Sequence, residues 1–70
     1  MKNKFSERLR ETRLEYPMSQ NKLATLIGVK QNTVSNWEAG IRQPDFDMLM
    51  EIAQTLDVST DYLLGLREYN

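Results

Sequence analysis

Apolar residues fall at helical spacing in five separate stretches of the chain, and nowhere alternate with polar ones in the two-residue rhythm of a half-buried strand. In the first stretch Phe5, Leu9 and Arg13 stand at four-residue steps on one face, with Thr12 beside them and Arg10 and Leu14 in a neighbouring row. This predicts a helix over Lys4 to Glu15. Pro17 cannot continue it, so Tyr16-Pro17-Met18 is a connection. Ser19 is a good N-cap for a second helix, Gln20 to Ile27, whose Leu23, Ala24 and Ile27 make one stripe. Gly28 ends it, because a residue without Cβ takes the left-handed conformation at little cost. A third helix over Gln31 to Trp37 has only two large apolar residues, Val34 and Trp37, one turn apart. Gly40 then suits a C-cap, and Pro44 excludes helix through Gln43. Asp45 caps a fourth helix, Phe46 to Leu56. Its inner stripe reads Phe46, Leu49, Ile52, Ala53 and Leu56; Met50 is expected to fill the core, and Met48 to be exposed. Val58 reads as a core plug. Ser59 caps a fifth helix, Thr60 to Leu64, which Gly65 ends. The expected fold class is all-α: a compact five-helix bundle forming a single domain over residues 1–70, with its central motif at about 19–38.

Composition narrows the chemistry. The 70 residues allow one small core, and there is neither cysteine nor histidine. Disulfides, thiolate metal sites and imidazole acid–base catalysis are thereby excluded. No nucleophile–base constellation is visible and the carboxylates fall on helix surfaces, so no enzyme and no cofactor are expected. No apolar run approaches the roughly 20 residues of a membrane span. The N-terminus MKNKF lacks the apolar segment of a signal peptide, so a cytoplasmic protein is expected. The net charge of −1 conceals a division. Residues 1–42 hold eight Lys and Arg against four Glu, and residues 43–70 hold one Arg against six Asp and Glu. One end can face phosphates while the other is repelled by them.

The third helix is the least core-like. Beyond Val34 and Trp37 it carries Gln31, Asn32, Thr33, Ser35 and Asn36, whose neutral amides and hydroxyls suit the reading of base edges. Together with the second helix it gives SQNKLATLIGVKQNTVSNWE, Ser19 to Glu38. That segment resembles the helix-turn-helix of the phage-repressor/Cro family, also called the XRE family. Gln20 opens the first helix of the motif, Ala24 lies four residues on, Gly28 is in the turn, and Val29, Val34 and Trp37 are the inward positions. The resemblance continues through EAGIRQPDFDMLMEIAQTLDVSTDYLLG and back into FSERLRETRLEYPMSQ, and so covers about Phe5 to Gly65. Asp57 departs from it, since glycine is usual there; Asp tolerates the left-handed region better than most residues.

The resemblance implies sequence-specific binding of double-stranded DNA with the third helix in the major groove, by a transcriptional repressor or regulator of phage or bacterial type. Lys30, Gln31, Asn32, Ser35 and Asn36 are then expected at bases: Gln31 and Asn32 can pair bidentately with adenine, and Lys30 can reach guanine. Gln20 and Thr33 are expected at phosphates, with Arg42 on the following loop and Lys22 and Arg10 as further cations. The resemblance also joins Arg13 to Glu38 as a partly buried structural bridge. One domain buries too little surface for tight binding, so a weak homodimer on a palindromic operator is expected, in contact through the acidic end with Leu64 to Tyr69. An alternative is a protein-interaction module, antitoxin-like, with DNA binding secondary; exposed Met48, Tyr62, Leu66 and Tyr69 would suit it. No membrane partner is expected.

Overall fold

Side-chain caps decide where three of the helices begin. In a computed structural model that describes residues 2–69, the order is α1 (Phe5–Glu15), α2 (Gln20–Ile27), α3 (Gln31–Glu38), α4 (Phe46–Leu56) and α5 (Thr60–Leu64). Met1 and Asn70, the ends of the expected domain, lie outside the described residues. The side chains of Ser19, Asp45 and Ser59 accept hydrogen bonds from the backbone N–H groups of Lys22, Met48 and Tyr62 at 3.0, 2.8 and 3.0 Å. At α1 the same service comes from further upstream, where the Phe5 N–H donates to Asn3 Oδ1 at 3.0 Å. Gly28 ends α2 at φ +77°, and a Cβ there would meet nothing within 4 Å. Backbone conformation alone therefore calls for glycine. Asp57 ends α4 in the left-handed region, at φ 55°.

All five helices contribute to one core, in which Leu9, Leu23, Val34, Ile52, Leu56 and Leu63 are completely buried. Phe5 meets Trp37 edge-on with ring centres 6.5 Å apart, so α1 is packed on α3 by its first aromatic residue. Trp37 is a core anchor. Val29 and Val58 pack on the core from the two turns that hold them.

Four expectations on side-chain placement need correction. Phe46 is 85% exposed and not part of the inner stripe. It is the first residue of α4, and helical side chains lean toward the N-terminus, so Phe46 leans off the end of the bundle. The two methionines exchange roles. Met48 packs against the core, one turn before the fully buried Ile52, whereas Met50, one turn before exposed Gln54, is itself 55% exposed. Tyr62, expected at the surface, packs on the core with the Arg8 guanidinium 4.3 Å from its ring centre. Arg8 itself was not anticipated as a buried residue. Its Nη1 donates to the carbonyls of Tyr62 and Arg67 at 2.8 and 2.9 Å, which fastens the end of α5 and the chain beyond it to α1. Among the described residues no helix is long and apolar enough to cross a membrane.

Candidate nucleic-acid interface

The polar helix α3 is seated by one edge. Val34 is inaccessible and Trp37 is 4% exposed, and these two hold it against α1 and α2. Gln31, Asn32, Ser35 and Asn36 project from the other side of a helix with 3.6 residues per turn. Lys30, Gln31 and Asn32 are exposed, while Thr33, Ser35 and Asn36 are half-buried. The open end of this face is therefore its N-terminus. Lys30 is the N-cap and provides no side-chain cap, unlike Ser19, Asp45 and Ser59 on the other helices that follow a turn.

Lys22, Arg10 and Arg42 are all exposed. Arg10 precedes Arg13 by three residues and so shares its flank of α1. The loop after α3 folds back on the helix: the Asn36 carbonyl accepts from the backbone N–H groups of Ile41 and Arg42 at 3.0 and 3.3 Å. Those bonds keep Arg42 next to the end of α3. Asn21, which sequence reasoning did not single out, is exposed beside Gln20 in the first turn of α2.

Beneath the face lies a chain of polar contacts. Arg13 Nε and Nη2 donate to the two oxygens of Glu38 at 2.7 and 2.9 Å, and Arg13 Nη1 donates to the Met18 carbonyl at 2.8 Å. The two side chains are only 9% and 5% accessible. The hydrogen bond to Glu38 raises the Arg13 pKa above its ordinary value; burial opposes this and the charge of Glu38 adds to it. Glu38 has a third donor. Gln20 Nε2 reaches Glu38 Oε1 at 3.1 Å, and Gln31 Nε2 in turn lies 3.4 Å from Gln20 Oε1. The bridge expected from the resemblance is present. Its extension through Gln20 to the first residue of α3 was not foreseen, because nothing local in the sequence ties position 20 to position 38. Among the described residues no group of three or more acidic, His or Cys side chains is arranged to hold a metal ion.

A family model described as helix-turn-helix, HTH_3, matches residues 9–63. The chain is 39% identical over 64 residues to the HTH-type transcriptional regulator ImmR of Bacillus subtilis, with 91% of this chain and 50% of that protein covered. A crystal structure of the c2 repressor of phage P22 in complex with a synthetic operator superposes with a TM-score of 0.82 at 32% identity, covering 86% of this chain and 91% of that one. The same fold recurs in hydroxypropylphosphonic acid epoxidase from S. wedmorenis, with a TM-score of 0.82 at 32% identity over 89% of this chain but 33% of that one. The chain spans about half the length of the curated relatives it matches.

Proposed function

Because the chain belongs to the helix-turn-helix family HTH_3, we propose that it binds double-stranded DNA sequence-specifically and acts as a transcriptional regulator, in the first place a repressor. The observation that carries this is the outer face of α3. A helix that buries only Val34 and Trp37 yet presents Gln31, Asn32, Ser35 and Asn36 in a row has the side chains and the free side that base reading requires. The fold alone would not suffice, since an epoxidase carries it too. The kinship to ImmR and the operator complex of the P22 c2 repressor support the same reading.

In this reading α3 enters the major groove with its N-terminus leading. Lys30, Gln31 and Asn32 meet bases first, and Ser35 and Asn36 follow one turn later. Thr33, Arg42, Lys22 and Arg10 meet phosphates on either side, and Gln20 does so at the start of α2. Arg13 and Glu38 hold α3 to α1 and touch no DNA. A second copy of the chain, across the dyad of a palindromic site, provides the other half of the interface. The exposed Phe46, Leu66 and Tyr69 suit that contact. They are also the main support for an antitoxin-like protein partner, and a homodimer accounts for them without one. A regulator of this kind works in the cytoplasm, where the DNA is. Selection of bound duplexes from a random library tests the proposal: a defined, two-fold symmetric motif is expected, and recovery of unenriched sequence would overturn it.

A further inference from the structure

We propose that the groove between the start of the chain and the end of α5 binds a small organic monoanion with an apolar tail, and that an occupied groove opposes the contact between two copies. The groove holds about 310 Å³ and is lined by Lys2, Asn3, Lys4, Leu64, Gly65 and Leu66. That is at the lower end of the roughly 300–1,000 Å³ of small-molecule sites. Its two sides are fixed to each other. The Lys4 N–H donates to the Leu64 carbonyl at 3.2 Å, and the Lys4 stem lies so close to Gly65 that a Cβ there would meet Lys4 Cγ at 3.0 Å. Lys4 is exposed all the same, so its stem lies along the glycine while its ammonium stays in reach of solvent.

The polar side chains of the groove are left with donors to offer. An ammonium has no acceptor. Asn3 turns its oxygen to the Phe5 N–H at 3.0 Å, so its NH2 group is the end that remains. The Gly65 and Leu66 N–H groups already donate to the carbonyls of Asp61 and Tyr62, and the Leu64 carbonyl is taken by Lys4. Among the described residues neither Lys2 nor Lys4 is in an ion pair, although Glu7 lines the neighbouring groove with them. They bring positive charge to an end where residues 43–70 hold one Arg against six Asp and Glu. Leu64 and the 69% exposed Leu66 supply an apolar wall beside those cations. A carboxylate on a short alkyl tail answers both features, with charge and acceptors for the donors and a tail for the leucines. A cation would meet like charge there, and inorganic phosphate would leave the leucines uncovered. Leu66 also belongs to the contact proposed between copies. A ligand lying on it covers surface that the second copy needs, and this half of the inference rests on the DNA-binding reading above.

The experiment is a titration of the isotope-labelled protein with hexanoate, hexanol, hexylammonium and inorganic phosphate, read at the backbone amide signals of residues 4 and 64–66. Hexanoate should give saturable shifts confined to these residues, with a dissociation constant on the order of 1 mM, the scale open to a ligand of so few atoms. Hexanol should bind about threefold more weakly or worse, and hexylammonium and phosphate should not saturate. Lys2→Gln/Lys4→Gln should weaken hexanoate by about threefold or more and leave hexanol unchanged, whereas Leu66→Ser should weaken both. All three side chains are exposed, so the variants should fold, which circular dichroism checks. Equal affinity for hexanoate and hexanol, shifts scattered over the surface, or saturation by phosphate would each overturn the site. Band-shift titrations on full and half sites, with hexanoate or chloride at equal ionic strength, test the second half. Hexanoate should lower cooperativity on the palindrome by about threefold or more at unchanged half-site affinity. Hexanoate that binds but leaves cooperativity unaltered would overturn the regulatory half alone. A protein that bound no duplex would remove the DNA-binding reading and that half with it, while the titration would still decide the site.

Discussion

Gln31, the first residue of α3, and Arg42, on the loop after it, are both polar and exposed, yet their substitutions should be told apart by what they leave intact. Gln31→Ala or Asn32→Ala removes a paired contact to a base edge, and should weaken binding to the selected site by about 1–3 kcal/mol while binding to random DNA hardly changes. Equal losses on both DNAs would take these residues out of the reading role. Arg42→Ala should instead weaken binding to every sequence and lower the slope of log affinity against log salt by about one unit, because one fewer counterion is released. An unchanged slope would place Arg42 away from phosphate. The exposed positions of α3 were legible in the sequence because the inward ones, Val34 and Trp37, are the large apolar residues of a short helix. What was not legible is how the polar residues join one another. The Gln20–Glu38 contact spans 18 positions and depends on how α1, α2 and α3 meet, and neither side chain carries a pattern of its own.

At the scale of elements, local signals gave the helix boundaries and long-range ones did not. Ser19, Asp45 and Ser59 cap through bonds that span three residues, so they could be read directly. Phe46, Met48 and Met50 were misplaced because a stripe drawn on an ideal wheel does not say where the neighbouring helices stop. Arg8 was missed for a related reason: its partners lie 54 and 59 positions away. Arg13 and Glu38 help to hold α1 to the end of α3, beside the Phe5–Trp37 contact, and Glu38→Gln should destabilise the fold by about 1–3 kcal/mol, since it leaves a buried cation with a neutral partner. Arg13→Met combined with Glu38→Met should recover part of that loss. Urea unfolding of the two single variants and the double decides it: strictly additive effects would mean that the side chains do not interact. The raised Arg13 pKa has a definite sign. The folded value exceeds the unfolded one, so its contribution is fully present below the unfolded pKa and disappears only as the pH rises through the folded value, in strong alkali. Between about pH 6 and 9, Arg13 should add no pH dependence to stability. A wild-type stability that falls across this range while the Arg13→Met/Glu38→Met stability stays level would contradict that.

For the whole molecule, size and charge set how two copies can share a site. The Cα atoms span 27 × 23 × 20 Å, less than the roughly 34 Å between equivalent major-groove positions one duplex turn apart, so two copies fit side by side on one face of the duplex. Contact through the acidic end keeps Arg10, Lys22, Lys30 and Arg42, which line neither groove there, free for phosphate. The exposed Phe46 and the half-buried Leu64 line one groove there, and Leu64 and Leu66 line the next beside Lys2, Asn3 and Lys4, so the apolar side chains have a polar and basic margin. A surface so small should hold the dimer weakly without DNA, with monomers predominating at micromolar concentration and cooperative filling of a palindrome. Deletion of the chain from Leu66 onward is a poor test of this, because the Arg67 carbonyl is a partner of the buried Arg8 and its loss would disturb the fold. Phe46→Asp and Leu66→Asp are better. These side chains are 85% and 69% exposed, so stability should change by less than about 0.5 kcal/mol. An added carboxylate on each side of the dyad would then oppose its own counterpart. Both variants should bind a single half-site with nearly wild-type affinity and lose cooperativity on the full palindrome. Band-shift titrations on half and full sites read both quantities at once, and undiminished cooperativity in the two variants would place the contact between copies on another face.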